Sequence, residues 1–255
     1  MIRRPPRSTQ GVSSAASDVY KRQAEEHSIP VAQTLSGKGS IPCTHELSVG
    51  LFGRWSRIAN DLIESSDCIL AVGCKMGEIA TKRYSLPAAG IPFIHLDIVA
   101  EEIRHTTRAD VALWCDAAEG LSDIRSALAN DASNLRDQRA SYLSEIHERM
   151  AIWRTEAAPR YESNESPIHM ARLIAELQGV MPEDGILVVD GGFAAHWTGL
   201  LYDATRSGRS YIANRGFASI GYGLPGTMGA QLGAGDSPVI GITGDGGFNL
   251  SLIHI

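Results

Sequence analysis

Short apolar runs alternate with amphipathic stretches along most of the chain. Before residue 134, four apolar runs predict strands, and the stretch "RIANDLIESSD" between them predicts a helix with Ile58, Leu62 and Ile63 on one side. These predicted strands are "IPVAQTL" and residues 68–74, 91–98 and 111–114. Continuous apolar runs are typical of strands buried on both faces of a parallel sheet. Strands that alternate with helices predict an α/β fold with parallel sheets.

A second block with the same alternation begins at Pro167. The predicted helix "IHMARLIAELQGVMPEDG" leads into the strand "ILVVDGG", and the strand "SPVIGITGDGGF" lies close to residue 250. These two strands run into the acidic, glycine-rich turns Asp190-Gly191-Gly192 and Gly244-Asp245-Gly246-Gly247. Ligands of open α/β sheets bind at the carboxyl ends of the strands, so these turns are the first candidates for a site.

The two ends of the chain do not follow this alternation. Residues 1–23 are rich in Arg, Ser and Pro and show no hydrophobic period. This composition indicates either a disordered tail or, as we favour, a foreign adapter-like sequence. The last five residues, "SLIHI", look like its counterpart, so a native protein cut at both ends is expected to run from about Ala24 to about Leu250.

These patterns predict two parallel-sheet, three-layer α/β domains joined by a helix. The predicted divisions are a non-native or disordered segment, a first α/β domain, a charged helical linker, a second α/β domain and a non-native tail, over residues 1–23, 24–133, 134–166, 167–250 and 251–255.

Composition narrows the class of protein. A formal net charge of −6 gives no electrostatic reason to expect binding to nucleic acid or to an anionic membrane. The four cysteines show no C-x-x-C spacing, which argues against a zinc site and a disulfide framework and favours a cytoplasmic location.

The Gly-Asp-Gly-Gly turn has a specific chemistry. Glycines let backbone N–H groups approach an anion closely, whereas the carboxylate of Asp245 would repel a phosphate unless a cation lay between them. Mg²⁺ bridges carboxylate and phosphate oxygens, so the turn after a buried strand indicates a Mg²⁺–diphosphate site with Asp245 as a ligand. A simple Asp-Gly turn without a ligand is the alternative.

Several motifs in order resemble one family. The stretches "PVAQTLSGKGSIP", "AVGCKMGEIAT", "HLDIVAEEI" and "GILVVDGGFAAHW", followed by "GFASIGYGLPGTMGAQLGAGDSPVIGITGDGGFNL", resemble thiamine-diphosphate enzymes of the acetolactate synthase-like group. The resemblance covers nearly all of residues 24–250. It implies that residues 24–133 are a Rossmann-like central domain, truncated at its N-terminal side, and that residues 167–250 are a diphosphate-binding domain, truncated at its C-terminal side.

The resemblance also implies a role for each matching position. Asp245 matches a Mg²⁺ ligand, Gly244, Gly246 and Gly247 match the loop around the diphosphate, and Gly192 matches a contact from the other strand. Ile220 matches the apolar side chain beneath the cofactor, although plain core packing is the alternative for this residue. The matching positions that support the aminopyrimidine ring and the following helix are Gly221, Gly223 and Leu224.

Four departures from the family pattern bear on activity. The second metal ligand, an Asn, and the activating glutamate of a pyrimidine-binding domain have no counterpart here, so the catalytic residue is unknown and this chain alone is expected to be inactive. Phe193 and Ala194 replace polar residues that follow Gly192 in the family. The stretch "CKMGEIATKRY" replaces the arginine-flanked acidic signature of an FAD site, which argues against FAD.

The resemblance implies a thiamine-diphosphate- and Mg²⁺-dependent 2-keto acid decarboxylase or carboligase that works as a homodimer or homotetramer. The alternatives are another member, such as an oxalyl-CoA or benzoylformate-type decarboxylase, a non-catalytic nucleotide-binding module, or an inactive assembly subunit. The donor and acceptor substrates are not predicted.

Overall fold

The computed structural model of the chain describes residues 14–252. Helices and strands alternate in it as the hydrophobic pattern predicts. The first block contains α1 (Ser14–His27), β1 (Val31–Gln33), β2 (Ser48–Leu51), α2 (Ala59–Glu64), β3 (Ile69–Val72), β4 (Phe93–Asp97), β5 (Val111–Trp114), α3 (Ala117–Leu128) and α4 (Ala132–Tyr161). The second block contains α5 (Met170–Val180), β6 (Ile186–Val189), α6 (Phe193–Leu201), β7 (Tyr211–Ala213), α7 (Gly223–Ala234), β8 (Val239–Ile242) and α8 (Asp245–Leu252).

The strands of the described residues form three parallel sheets. The pair β1-β2 is parallel, and so are the three-stranded sheets with the orders β3-β4-β5 and β7-β6-β8. The central strand β6 is the most apolar part of the second block, and its residues Leu187, Val188 and Val189 are fully buried. The predicted α/β fold with parallel sheets is confirmed.

Two regions differ from the sequence prediction. The short strand β2 was not predicted, because its four residues include Gly50 and are too few to show a period. The glycine-rich stretch at 223–234 forms the helix α7, although glycine disfavours helices by about 1 kcal/mol per residue relative to alanine. Packing of α7 on β6 and β8 therefore overrides its weak local preference.

The predicted foreign or disordered segment lies partly outside the described residues. Residues 1–13 and 253–255 are not described, whereas residues 14–23 form most of α1. This helix packs against α3 and α4, and Gln23, Ala24 and His27 are buried there. Disorder is therefore wrong for residues 14–23, and the foreign origin of residues 1–23 stays a prediction.

The charged segment after residue 131 forms the 30-residue helix α4. It does more than join two blocks, because Ile146 is buried in a cluster with Val49, Ile58 and Leu62. Even this long helix is polar, and none of the helices described between residues 14 and 252 is long and apolar enough to cross a membrane.

The first block supplies the donors that cap the C-terminal end of α6. Lys38 Nζ donates to the Gly199 carbonyl at 2.9 Å, and Arg57 Nε donates to the Leu200 carbonyl at 2.8 Å. The Tyr161 hydroxyl, from the end of α4, donates to the Leu201 carbonyl at 3.1 Å. The last carbonyls of a helix have no intrahelical partner and carry partial negative charge, so two cations and a hydroxyl match them.

The strand β5 lies at an edge of its sheet and is poorly covered. Trp114 is 72% exposed and Val111 is also exposed, although the Trp114 indole donates to the Ile98 carbonyl at 3.0 Å. One apolar edge of the first block thus faces solvent in the described part of the chain.

A glycine in left-handed backbone geometry fixes the loop after β2. Gly53 has φ +101°, and an added Cβ would lie 2.3 Å from the Ile79 carbonyl oxygen and 2.7 Å from Ala80 Cα. Asn60 holds the same residue from the other side, because its side chain accepts from Gly53 N and donates to Gly53 O, both at 2.7 Å.

We predict that Gly53→Ala destabilises the fold by about 3 kcal/mol, because it combines a strained φ with a clash against backbone atoms. Gly90→Ala is the matched control, since Gly90 has φ +96° but open space around its Cβ position. Urea unfolding of both variants measures the difference. Equal losses of stability would show that the Ile79 and Ala80 contacts do not constrain the loop.

Candidate functional site

The candidate site lies at the carboxyl ends of the three strands of the sheet β7-β6-β8. Because β6, β7 and β8 are parallel, the turns that follow them meet at one edge of the sheet. Asp190 is the first residue after β6, in the middle of this edge, and is only 1% exposed.

The Asp190 carboxylate accepts hydrogen bonds from three segments of the chain that meet at this edge. Its Oδ1 accepts from Gly191 N at 2.7 Å and from Gly221 N at 3.0 Å. Its Oδ2 accepts from Gly221 N at 3.0 Å and from the Thr243 hydroxyl at 2.8 Å. Asp190 therefore ties the turn after β6 to the loop before α7 and to the end of β8.

Two further predicted cofactor-binding glycines, besides Gly221, lie against Asp190. An added Cβ at Gly247 would lie 2.2 Å from Asp190 Oδ2, and one at Gly223 would lie 2.9 Å from the Cβ atoms of Asp190 and Thr243. Any side chain at these positions would displace the carboxylate. Both glycines thus allow the start of α7 and α8 to close on Asp190.

Ile220 and Gly192 lie at the same edge. Gly192 has φ +70° at the N-terminus of α6, and its Cβ position faces Ile220 Cδ1 at 3.9 Å. Ile220 is 57% exposed in this chain, which favours a surface role over plain core packing, the alternative interpretation of this residue. An exposed apolar side chain next to a glycine turn provides a surface on which a flat ligand can rest.

The predicted metal-binding turn is open to solvent. Asp245 begins α8 and is exposed, and the Cβ positions of Gly244 and Gly246 face open space. Leu224, in the first turn of α7, is half-buried. Among the described residues no group of three or more His, Cys, Asp or Glu side chains could hold a metal ion. A cation at Asp245 would therefore take most of its ligands from a bound anion and water.

The arrangement fits a diphosphate-bearing cofactor that rests on Ile220. Open space beside Gly244 and Gly246 leaves room for an anion at the first N–H groups of α8, where helix geometry favours negative charge. The exposed Asp245 carboxylate stands at the same helix end and can hold a divalent cation.

The carboxyl ends of β3 and β4 in the first block also border a large cavity, whose lining includes Gly73, Gly77 and Asp97. Lys75 pairs with Glu102 at 2.7 Å, and the buried His95 ring lies 3.0 Å from the Cys74 carbonyl. Asp97 accepts from Val99 N at 2.8 Å, so it caps a turn. These contacts give Lys75, His95 and Asp97 structural roles in the described part of the chain.

Sequence reasoning missed two features of the site. Asp190 was noted only as part of a turn, although an acidic residue at the end of a fully apolar strand is a signal of a buried hydrogen-bonded carboxylate. His196, one turn into α6, stacks on Trp55 of the first block with ring centroids 3.5 Å apart. Burial and the nearby Arg215 and Arg54 guanidinium groups lower the pKa of His196 to about 4.

We predict that Asp190→Asn lowers the free energy of unfolding by about 2–4 kcal/mol. The amide keeps one acceptor oxygen and turns an N–H₂ group toward a donor, either the Gly191 N–H or the Thr243 hydroxyl, and each unsatisfied buried donor costs about 1–3 kcal/mol. Asp236→Asn, at an exposed turn of the same block, is the control. Urea unfolding is the measurement, and a loss below about 0.5 kcal/mol, the range of neutral surface changes, would contradict the role of Asp190.

We also predict that the protein loses stability as the pH falls from about 6.5 to about 4. His196 takes up a proton near pH 6.5 when unfolded but near pH 4 when folded, so in this window the unfolded state binds more protons. Chemical unfolding at several pH values should show a smaller slope for His196→Gln. His105→Gln, at an exposed histidine, is expected to keep the slope of the parent protein.

Comparisons with known proteins agree with this geometry. The family model described as "Thiamine pyrophosphate enzyme, central domain" matches residues 9–124, and "Thiamine pyrophosphate enzyme, C-terminal TPP binding domain" matches residues 190–255. The second match begins at Asp190, the residue that organises the candidate site.

Curated relatives carry related names. A probable acetolactate synthase large subunit of Methanocaldococcus jannaschii is 33% identical over 93% of this chain and 40% of its own length. A probable sulfoacetaldehyde acetyltransferase of Rhizobium meliloti is 31% identical over 90% of this chain and 42% of its own. Acetolactate synthase 3 of Brassica napus is 29% identical over 98% of this chain and 38% of its own.

The chain thus spans about two fifths of the length of these relatives. The two family models together match more than half of the chain, in the order that the sequence motifs imply. The chain belongs to the thiamine pyrophosphate-dependent enzymes, with central-domain and cofactor-binding-domain sequence of the acetolactate synthase-like kind.

Proposed function

We propose that the chain is the cofactor-binding part of a Mg²⁺-dependent enzyme that decarboxylates or ligates 2-keto acids. The observation that carries this proposal is the edge around Asp190, where the exposed Ile220 lies beside an open, glycine-lined helix start with Asp245. Acetolactate synthase and acetyltransferase names among the relatives support the same class of reaction.

Each residue at the edge has a proposed task. The first N–H groups of α8, at Gly246 and Gly247, bind the diphosphate, and Asp245 binds the Mg²⁺ that neutralises it. Ile220 supports the cofactor rings from below, and Gly192, at the start of α6, contacts the diphosphate from the other strand. Asp190 touches no ligand in this scheme and acts as a positioning residue for Gly221 and Thr243.

Thiamine diphosphate supplies, when bound, a nucleophilic carbon and an electron sink for cleavage of the bond beside a carbonyl group. The chain's own residues bind and orient it and provide an apolar surface at Ile220. An apolar surface next to the reacting group disfavours the charged carboxylate of a 2-keto acid and so assists its loss as carbon dioxide.

We propose that this chain alone does not turn over substrate. The family resemblance assigns the activating glutamate to a pyrimidine-binding domain, whereas the matches here are to the central and C-terminal domains. A cytoplasmic location and assembly into a homodimer or homotetramer are proposed for the whole enzyme on the same resemblance.

Binding of thiamine diphosphate tests the proposal directly. We predict Mg²⁺-dependent binding that Asp245→Asn weakens about tenfold or more, which corresponds to about 1.4 kcal/mol, because the amide loses the charge that holds the cation. Titration calorimetry with Mg²⁺ and with a chelator measures the affinity.

Asp236→Asn serves as the control for this titration, because Asp236 is exposed on the same block and lies before β8 instead of after it. Its affinity is expected to equal that of the parent chain. Binding that is insensitive to both Mg²⁺ and the Asp245 substitution would refute the metal role. Absence of any thiamine diphosphate binding, with adenine nucleotides bound instead, would favour a nucleotide-binding module.

A further inference from the structure

Two arginines and three rings from different parts of the chain meet beside α6. Arg54 Cζ lies 5.0 Å from the centroid of the Trp55 ring, and Trp55 stacks on His196 at 3.5 Å with the ring planes 23° apart. Phe193 meets His196 edge-on at 6.0 Å. Arg215, from the loop after β7, lines the same cavity as Arg54 and Trp55, and its charge lowers the pKa of His196. We call these five residues the Arg54–Arg215 cleft.

The cleft carries positive charge without a matching carboxylate. Neither arginine forms an ion pair with any residue described between 14 and 252. The charged groups that influence His196 are the two guanidinium groups, and both keep its imidazole neutral. Nδ1 of that imidazole is buried and has no hydrogen-bond partner in the described part of the protein.

A small cavity continues the cleft on the side of Arg54. Its volume is about 130 Å³, and its lining includes Arg54, Lys82, Arg83 and the single acidic residue Glu78. Glu78 lies 3.9 Å from Arg83, so it offsets one of these cations. The residues around this cavity thus carry a net positive charge.

The cleft lies next to the cofactor edge but away from Asp245. His196 is one helical turn from Gly192, since its N–H donates to the Gly192 carbonyl at 3.3 Å. Arg215 follows β7 and Asp245 follows β8, and the order β7-β6-β8 places them on opposite sides of β6. Neighbouring strands are about 4.8 Å apart, so about 10 Å separates the two strand ends. An anion in the cleft is therefore distinct from a diphosphate at the start of α8.

We propose that Arg54 and Arg215 bind the carboxylate of the 2-keto acid, with the Trp55–His196 stack as the wall for its carbon chain. This inference rests on the proposed function, which supplies the substrate class. Guanidinium groups bind carboxylates through paired N–H donors. The cleft brings the carboxylate of the substrate beside Gly192 and Ile220.

The test follows the indole N–H signal of Trp55 by NMR in the full chain, with Trp55→Phe identifying the signal. Pyruvate is expected to shift it in a saturable way, whereas methyl pyruvate, which lacks the charge, leaves it unchanged. Arg54→Gln and Arg215→Gln are each expected to weaken pyruvate binding about tenfold. Arg160→Gln, at an exposed arginine near the end of α4, is expected to bind pyruvate like the parent chain.

Three results would overturn the carboxylate-site proposal or distinguish its failure from failure of the proposed function. A Trp55 signal that does not respond to pyruvate, or that responds in either arginine variant as it does in the parent chain, overturns the carboxylate site. Competition by inorganic diphosphate, together with weaker thiamine diphosphate binding in Arg215→Gln, also overturns it, because the cleft then serves the cofactor. Pyruvate binding without any thiamine diphosphate binding in calorimetry refutes the proposed function and leaves the carboxylate site standing. Melting curves of each variant confirm that it is folded.

Discussion

The C-terminal cap of α6 is the interaction on which the rest of the structure depends. Lys38, Arg57 and Tyr161 come from three separate stretches of the chain and donate to three consecutive carbonyls. Burial makes these bonds consequential, because a buried cation or carbonyl without its partner costs several kcal/mol. Arg57 also pairs with Asp203 at 2.8 Å and lies over the Trp153 ring, so α4 is held to the same junction. The cap thereby fixes the direction of α6, and the other end of that helix is Gly192 at the cofactor edge.

Inside the second block, Asp190 joins neighbouring segments of the chain as the cap of α6 does between the blocks. Its carboxylate sits where the central strand ends and collects N–H and O–H donors from both sides. The glycines at 223 and 247 are explained by this arrangement, because they let two helix starts approach the carboxylate. The glycines at 244 and 246 are different in kind, since their Cβ positions face open space. A single glycine-rich motif therefore combines residues that pack against the protein with residues that leave room for a ligand.

The sequence predicted the parts of this fold that have a strong local pattern. Continuous apolar runs identified β3, β4, β5, β6 and β8, and their alternation with helices predicted the parallel sheets. The glycine-rich stretch did not predict the helix α7, because packing on β6 and β8 stabilises that helix. At the site, the motif resemblance placed Ile220 and Asp245 at one edge, which the structure also does. The roles of Asp190 and His196 were missed, because both depend on contacts with residues about 30 to 140 positions away along the chain, which no local pattern contains.

The exposed edge at β5 has a consequence for the behaviour of the protein in solution. A strand with unpaired backbone groups and an exposed Trp114 is a template on which a second chain can add its own strand. Such pairing grows with concentration and does not require the fold to open. Strand pairing at this edge, in addition to the stability of the fold, therefore limits the concentration range in which the chain stays a monomer.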